Sequence, residues 1–222
     1  MPAALADNPR VHELRQRVQR MQGSAVTRTL EALPGLAGVL PLRTGGAYAT
    51  DSLSLAMALL AGPSSAGEWS AVVGMPDFGL EAAAEYGLDL DRTVVVPRPG
   101  EHWLSVTAGL LDVAGVVLVR PYAAVTEHQA ERLRARLRQK DAALVCLGAW
   151  PRADATLRVT RSTWLGLGQG HGHLIARQVE VVVRTGASPR TVSLWLPTPD
   201  QRVLVSADEA EAEVTPDVRA VG

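Results

Sequence analysis

Cysteine and lysine are almost missing from this chain of 222 residues: Cys146 and Lys140 stand alone beside 21 arginines. A single cysteine can neither close an internal disulfide nor build a multi-thiolate zinc site. Its setting in AALVCLG (142–148) predicts a buried strand thiol. With a single lysine, any mechanism that needs an amine must use Lys140. Long uncharged apolar runs are absent as well, which excludes a membrane-spanning helix. The opening MPAALADNPR lacks the basic-then-apolar order of a signal peptide, so a cytoplasmic protein is expected. No internal repeat is present. What the chain does have is a hydrophobic content of 47%, too high for a disordered protein. Its length suits one globular domain with trimmings, burying about 70% of its unfolded surface.

Four regions follow from the pattern. Residues 1–34 form a helical arm in which Val11, Leu14, Val18 and Met21 make one stripe over 9–22, bounded by Pro9 and Gly23. That arm is either a solvated helix packed on its own domain or a segment that docks on another chain. Residues 35–155 read as an α/β core. Strands are predicted at 38–42, 69–75, 93–97, 115–119 and 142–148, with helices near 51–61, 79–87, 101–113 and 126–140. Thr126 to Gln129 carries a capping-box signature, and Ala130, Leu133 and Leu137 form the apolar stripe behind it. Continuous apolar strands separated by helices indicate a mostly parallel sheet covered on both faces. Over 156–205 polar and apolar residues alternate, as in antiparallel hairpins with one wet face. Residues 206–222 hold Asp208, Glu209, Glu211, Glu213 and Asp217 against Arg219, an acidic tail expected to be disordered.

A phosphate cradle would sit where a strand meets a glycine-rich loop and a helix, here GVLPLRTGGAYATDSLSLAMALL (38–60). Counting G-x4-G-K-[ST] from Gly46 puts the last three positions on Asp51, Ser52 and Leu53. Counting from Gly45 puts them on Thr50, Asp51 and Ser52. Either register lacks the lysine and supplies a carboxylate. At 4 Å, exchanging attraction for repulsion costs about several kcal/mol at an effective dielectric near 20. The acidic residue that would position Mg²⁺ after a later strand is replaced too, since GVVLV (115–119) runs into Arg120.

The stretch 86–125, YGLDLDRTVVVPRPGEHWLSVTAGLLDVAGVVLVRPYAAV, resembles the core of the RecA recombinase family, and 176–197 resembles that family's late β-hairpin. The resemblance covers about residues 36–200. It places the metal aspartate on Arg120, the loop lysine on Asp51 or Ser52, and the catalytic glutamate near Met75 or Pro76. It also places Asp51 and Arg120 at the ends of neighbouring strands, where they are expected to pair and close the vacated site. The two intervals that carry DNA loops in that family are short here, Arg120 to Thr126 and Ala149 to Ala155. A RecA-like domain without nucleotide chemistry and DNA loops is similar to the ImuA/SulA branch, most of all its actinobacterial ImuA-prime type. The glycine-rich TWLGLGQGHGHL (163–174) fits that type.

The resemblance implies a RecA-like, mostly parallel sheet with a C-terminal antiparallel extension, and a pseudo-ATPase without cofactor or metal. Its expected role is that of a non-catalytic accessory protein of the DNA-damage-induced mutasome, part of the SOS response and translesion synthesis. The expected partners are an inactive Y-family polymerase homologue and, through it, an error-prone C-family polymerase. DNA remains open as a further partner, no membrane is expected, and association on the nucleoid would follow induction. The alternatives are a weak or partner-activated ATPase and a SulA-like inhibitor of the cell-division GTPase. Candidate partner residues are Val11, Leu14, Val18 and Met21 on the arm, with Trp150 and Trp164 near the late strands. Those two, with Trp195, are either an exposed patch or core. Arg132 and Arg136, with Arg152, Arg158 and Arg161, are either a solvated surface or a track along a phosphate backbone.

Overall fold

A computed structural model describes residues 27–167, 172–197 and 204–205. In chain order the elements are α1 (Pro34–Ala37), β1 (Ala47–Thr50), α2 (Leu53–Ser65), β2 (Ser70–Val73), α3 (Leu80–Glu85) and β3 (Thr93–Val96). They continue with α4 (Trp103–Leu110), β4 (Val116–Val119), α5 (Glu127–Lys140), β5 (Ala143–Leu147) and β6 (Ala155–Leu167). Last come β7 (Gly172–Thr185), β8 (Ser188–Trp195) and β9 (Leu204–Val205). All nine strands share one sheet in the order β3-β2-β4-β5-β1-β6-β7-β8-β9. From β3 to β6 every pairing is parallel, and from β6 to β9 every pairing is antiparallel.

Alternation along the strands sends consecutive side chains to opposite faces. Val116 and Leu118 therefore join a core under α2, whereas Val117 and Val119 join one under α4 and α5. Burial on both faces is why β2, β4 and β5 read as unbroken apolar runs. The α2 segment is apolar almost all round, and its residues 55–64 are all buried. In contrast, α5 buries only Ala130, Leu133 and Leu137, the stripe its spacing predicts. Its capping box forms as expected: the Gln129 amide donates to Thr126 Oγ1, and the Thr126 amide donates to Gln129 Oε1 at 3.0 Å. Along β7, Val179, Val181 and Val183 are buried between more accessible neighbours, the one-faced alternation expected of the C-terminal strands. Those strands extend the parallel sheet itself. Cys146 lies in β5 with its thiol buried, and desolvation pushes its pKa up to about 12.

Two expectations are corrected. Residues 38–42 are not a strand: they follow α1 irregularly, with Val39, Leu40 and Leu42 buried and Pro41 exposed at the surface. A proline has no amide for a central ladder, so this apolar run serves as a plug. The strand is instead 47–50, AYAT, lying between β5 and β6. Its alanines are weak strand formers, and only the pairing on both sides makes them a strand. The second correction concerns Trp150, which is 6% exposed and belongs to the core beneath α5. The arm residues Val11, Leu14, Val18 and Met21 and the acidic tail lie outside the described residues. No helix among the described residues is long and apolar enough to cross a membrane.

Candidate functional site

In an open parallel sheet, ligands gather at the carboxyl ends of the strands, so that edge is the first place to look. At the end of β1 only Asp51 and Ser52 separate the strand from α2. Ser52 caps the helix, its Oγ accepting from the Leu55 amide (3.4 Å), while its own amide donates to Thr50 Oγ1 (3.2 Å). One of the four orphan amides at this helix start is thereby used internally. Asp51 turns the other way. Its carboxylate accepts from the Val159 amide (3.1 Å) and lies 3.6 Å from Arg158 Nε. A shift in register between Val159 and Arg161 marks this stretch of β6, at the point where that amide points to Asp51.

Gly45 and Gly46, expected to follow a strand in the degenerate loop, precede β1 and sit at the opposite, amino edge of the sheet. The Gly45 amide donates to the Ala142 carbonyl (2.8 Å) and the Gly46 amide to the Arg43 carbonyl (3.2 Å). The four residues read as one loop are thus split between two edges. The missed strand is the cause: assigning it to 38–42 moved both glycines to the wrong end.

Arg120 follows β4 and makes a forked contact with Asp77, Nη1 to Oδ1 at 2.8 Å and Nη2 to Oδ2 at 3.5 Å. The guanidinium holds the Asp77 carboxyl below the usual aspartate range. The expected Asp51–Arg120 pair does not form, because β5 lies between β4 and β1 and each residue has another partner. Met75, near the expected glutamate position, is buried. Beside it Gly74 has φ +80° and lies so close to the end of β4 that a Cβ there would be 2.3 Å from the Arg120 carbonyl oxygen.

Most of the arginines proposed as a phosphate track are matched to carboxylates. Arg136 pairs with Asp112 (2.6 Å), Arg152 with Glu127 (2.8 Å), Arg158 with Asp51 and Arg161 with Glu180 (3.1 Å). Arg132 is exposed and has no ion pair among the described residues. Lys140 is also engaged, 3.2 Å from Asp112. Hydrogen bonds from Lys140 and then Arg136 hold the Asp112 carboxyl below the ordinary aspartate value of 3.8. Its folded pKa is the depressed one, so its pairing adds stability above the unfolded value and loses it as pH falls through the folded one. We expect a carboxyl-carbon NMR titration of Asp112 to have its midpoint below 3.8, and Lys140→Ala to move it back upward.

Two features go beyond what the sequence pointed to, which for the first was Trp164 alone. On the long β6–β7 hairpin, Trp164 pairs with Arg177 in register, and the Arg177 guanidinium lies 5.4 Å from the Trp164 ring centroid. Arg177 is fixed in turn by Ser162 Oγ (2.7 Å) and Ser54 Oγ (3.2 Å). Ile175 lies two residues before Arg177 on β7, where the pairing with β6 becomes irregular beyond Ala176. Trp164 and Ile175 are 42% and 55% exposed apolar side chains of this hairpin, the tryptophan pinned by a buttressed arginine. The second feature is a cavity of about 750 Å³ at the amino edge, where Arg43, Arg134, Arg138 and Arg190 converge around Tyr48 and Asp154. The i, i+4 spacing of Arg134 and Arg138 on α5 was its only local signal.

Against known proteins, the family described as the MT3502 N-terminal domain matches residues 34–152. The uncharacterized protein Rv3395c of Mycobacterium tuberculosis is 36% identical over 135 residues, which are 60% of this chain. The match spans 55% of that relative, so this chain corresponds to about half of its length. The family match runs from the start of α1 to just beyond β5, leaving β6–β9 outside it. More than half of the chain is covered, and the chain therefore belongs to the MT3502 N-terminal domain family.

Proposed function

We propose that this chain is a non-catalytic, RecA-like adaptor of DNA-damage-induced translesion synthesis, of the ImuA-prime type, working through protein–protein contacts. The observation that carries this reading is the carboxyl edge of the sheet. Two residues join β1 to α2, Ser52 caps its own helix, and Asp51 and Arg120 are each tied to another side chain. A triphosphate there would meet the Asp51 carboxylate at the place where a nucleotide loop needs a cation. The relative from Mycobacterium tuberculosis agrees with an actinobacterial type. The mixed sheet, parallel and then antiparallel, is the architecture the RecA resemblance calls for.

Without nucleotide chemistry such a protein acts through surfaces. The hairpin bearing Trp164 and Ile175 is the described surface best suited to a partner, because aromatic and arginine side chains dominate binding hot spots. The proposed partner is an inactive Y-family polymerase homologue, which would connect the chain to an error-prone C-family polymerase. The test is to purify the chain from cells after DNA damage and to titrate the purified protein with ATP in a calorimeter. Co-purification of the polymerase homologue with no micromolar ATP isotherm is expected. A micromolar isotherm would favour the ATPase reading. Recovery of the cell-division GTPase in place of a polymerase homologue would favour a SulA-like inhibitor.

A further inference from the structure

The arginine cavity at the amino edge of the sheet holds more cationic charge than its own carboxylate matches. Arg134 Nη1 is 3.1 Å from Asp154 Oδ1, and its Nη2 donates to the Arg152 carbonyl. The other oxygen of Asp154 accepts from the Ala47 amide at 2.8 Å, so each of its oxygens already has a donor. Arg190 donates to the carbonyls of Gly38 and Val39, which hold the guanidinium but leave its charge unmatched. Arg43 and Arg138 are exposed and have no ion pair among the described residues. Four guanidiniums thus face one carboxylate. Like charges gathered in a concave site repel one another, and a bound anion relieves that repulsion.

The backbone beneath these side chains is fixed. The Arg43 amide donates to Tyr48 Oη at 2.7 Å, and the Arg43 carbonyl accepts from the Gly46 amide at 3.2 Å. Only the side chain of Arg43 is left free to meet a ligand. Gly45, at φ +78°, lies against the stem of Arg138, and a Cβ there would stand 2.9 Å from Arg138 Cγ. At Gly46 a Cβ would be 2.8 Å from Tyr48 Oη. The two glycines therefore shape the wall of this cavity, where the arginines approach closely.

The volume of about 750 Å³ suits a small ligand or the end of a longer one. A carboxylate offers two oxygens in one plane, and Asp154 shows one filled by a guanidinium and an amide. A phosphate offers oxygens in three directions and accepts from several guanidiniums at once. The arginines here come from three parts of the fold: Arg43 before β1, Arg134 and Arg138 on α5, and Arg190 on β8. A terminal phosphate carries a charge of about −1.5 to −2, against about −1 for a phosphate within a nucleic-acid strand. Three guanidiniums without a carboxylate favour the higher charge. We propose that this cavity is a phosphate site that takes the terminal phosphate of a ligand. Arg43 and Arg138 capture the phosphate, and Arg190 is a fixed third cation. This inference does not depend on the adaptor reading.

The test titrates the full chain at constant ionic strength and follows backbone amides by NMR. The probes are inorganic pyrophosphate, citrate, and a short oligothymidylate with or without a 5′-phosphate. Pyrophosphate is expected to shift the amides of Arg43, Thr44, Gly45 and Arg138, leaving Ser52 and Asp77 at the other edge unmoved. A Kd of about 0.1–1 mM is expected, because Arg43 and Arg138 are exposed and screened by solvent. Binding of that strength gives no micromolar ATP isotherm, so this test and that of the adaptor reading fail separately. Arg43→Gln with Arg138→Gln should weaken pyrophosphate binding at least about tenfold with thermal unfolding unchanged, since both side chains are exposed and unpaired among the described residues. Asp51→Asn, at the opposite edge, should change binding less than about twofold. A 5′-phosphorylated strand that binds at least about tenfold more tightly than the bare strand identifies the ligand as a nucleic-acid end. Pyrophosphate binding with no response to either strand identifies a free phosphate compound. The proposal is overturned by amides that ignore pyrophosphate, by citrate binding equally well, or by affinity indifferent to the arginine substitutions. A bare strand that shifts the same amides as strongly as the phosphorylated one overturns it too.

Discussion

Replacing Gly74 with alanine is expected to lower the unfolding free energy by about 3 kcal/mol or more. Two costs add. At φ +80° an alanine sits in the left-handed region, which costs about 1–2 kcal/mol for an L-residue. Its Cβ would also stand 2.3 Å from the Arg120 carbonyl oxygen, far inside any van der Waals contact. Relief requires the ends of β2 and β4 to separate, although Val73 and Val119 are paired there and fully buried. Gly186 is the control. It has φ +69° and open space around its Cβ position, so Gly186→Ala should cost only the conformational part, about 1 kcal/mol. Urea unfolding with unchanged slope measures both. Equal losses would show that the Arg120 carbonyl yields without cost.

The largest effect expected on function comes from the β6–β7 hairpin. Trp164→Ala combined with Ile175→Lys should weaken binding of the polymerase-like partner by at least about 100-fold, read by co-purification and by titration. A buried hot-spot tryptophan alone is worth about 2 kcal/mol or more, and a lysine in the same contact would leave an unpaired charge in it. Both side chains are largely exposed in the isolated chain, so its thermal unfolding should hardly change. Arg177 keeps its bonds to Ser162 and Ser54 in the variant, which preserves the hairpin face. Undiminished binding would move the partner surface to the stripe of Val11, Leu14, Val18 and Met21.

What the sequence disclosed depended on how local the cause was. The capping box at Thr126, the stripe of Ala130, Leu133 and Leu137, and the buried setting of Cys146 all follow from neighbours within a few residues. The apolar runs of β2, β4 and β5 were legible because burial on two faces removes polar residues altogether. AYAT was not legible, since its strand character comes from β5 and β6, about 100 residues further along. GVLPL looked more strand-like by composition, and only its placement as a plug under the sheet decides against it. That one exchange moved Gly45 and Gly46 to the wrong edge and implied a loop where the chain has two residues. The pairing of Asp51 with Arg158, and of Arg120 with Asp77, depends on strand order, which no local pattern encodes. The arginine cavity has the same origin: its arginines come from the segment before β1, from α5 and from β8.

The position of β1 has a consequence for how the chain is made. Ala47 pairs with Leu144 and Tyr48 with Ala155, so the central strand emerges from the ribosome long before either of its neighbours. At about 5–20 residues per second, the hundred residues in between take about 5–20 s to synthesise. Throughout that interval AYAT and the apolar α2 beside it have no completed sheet to join. Pairings so distant in sequence also close slowly, because the entropy of a long loop is lost before contact is gained. Nascent chains of this protein should therefore depend on chaperone protection until β6 has been translated, and a pause in translation before residue 155 would leave them open to aggregation.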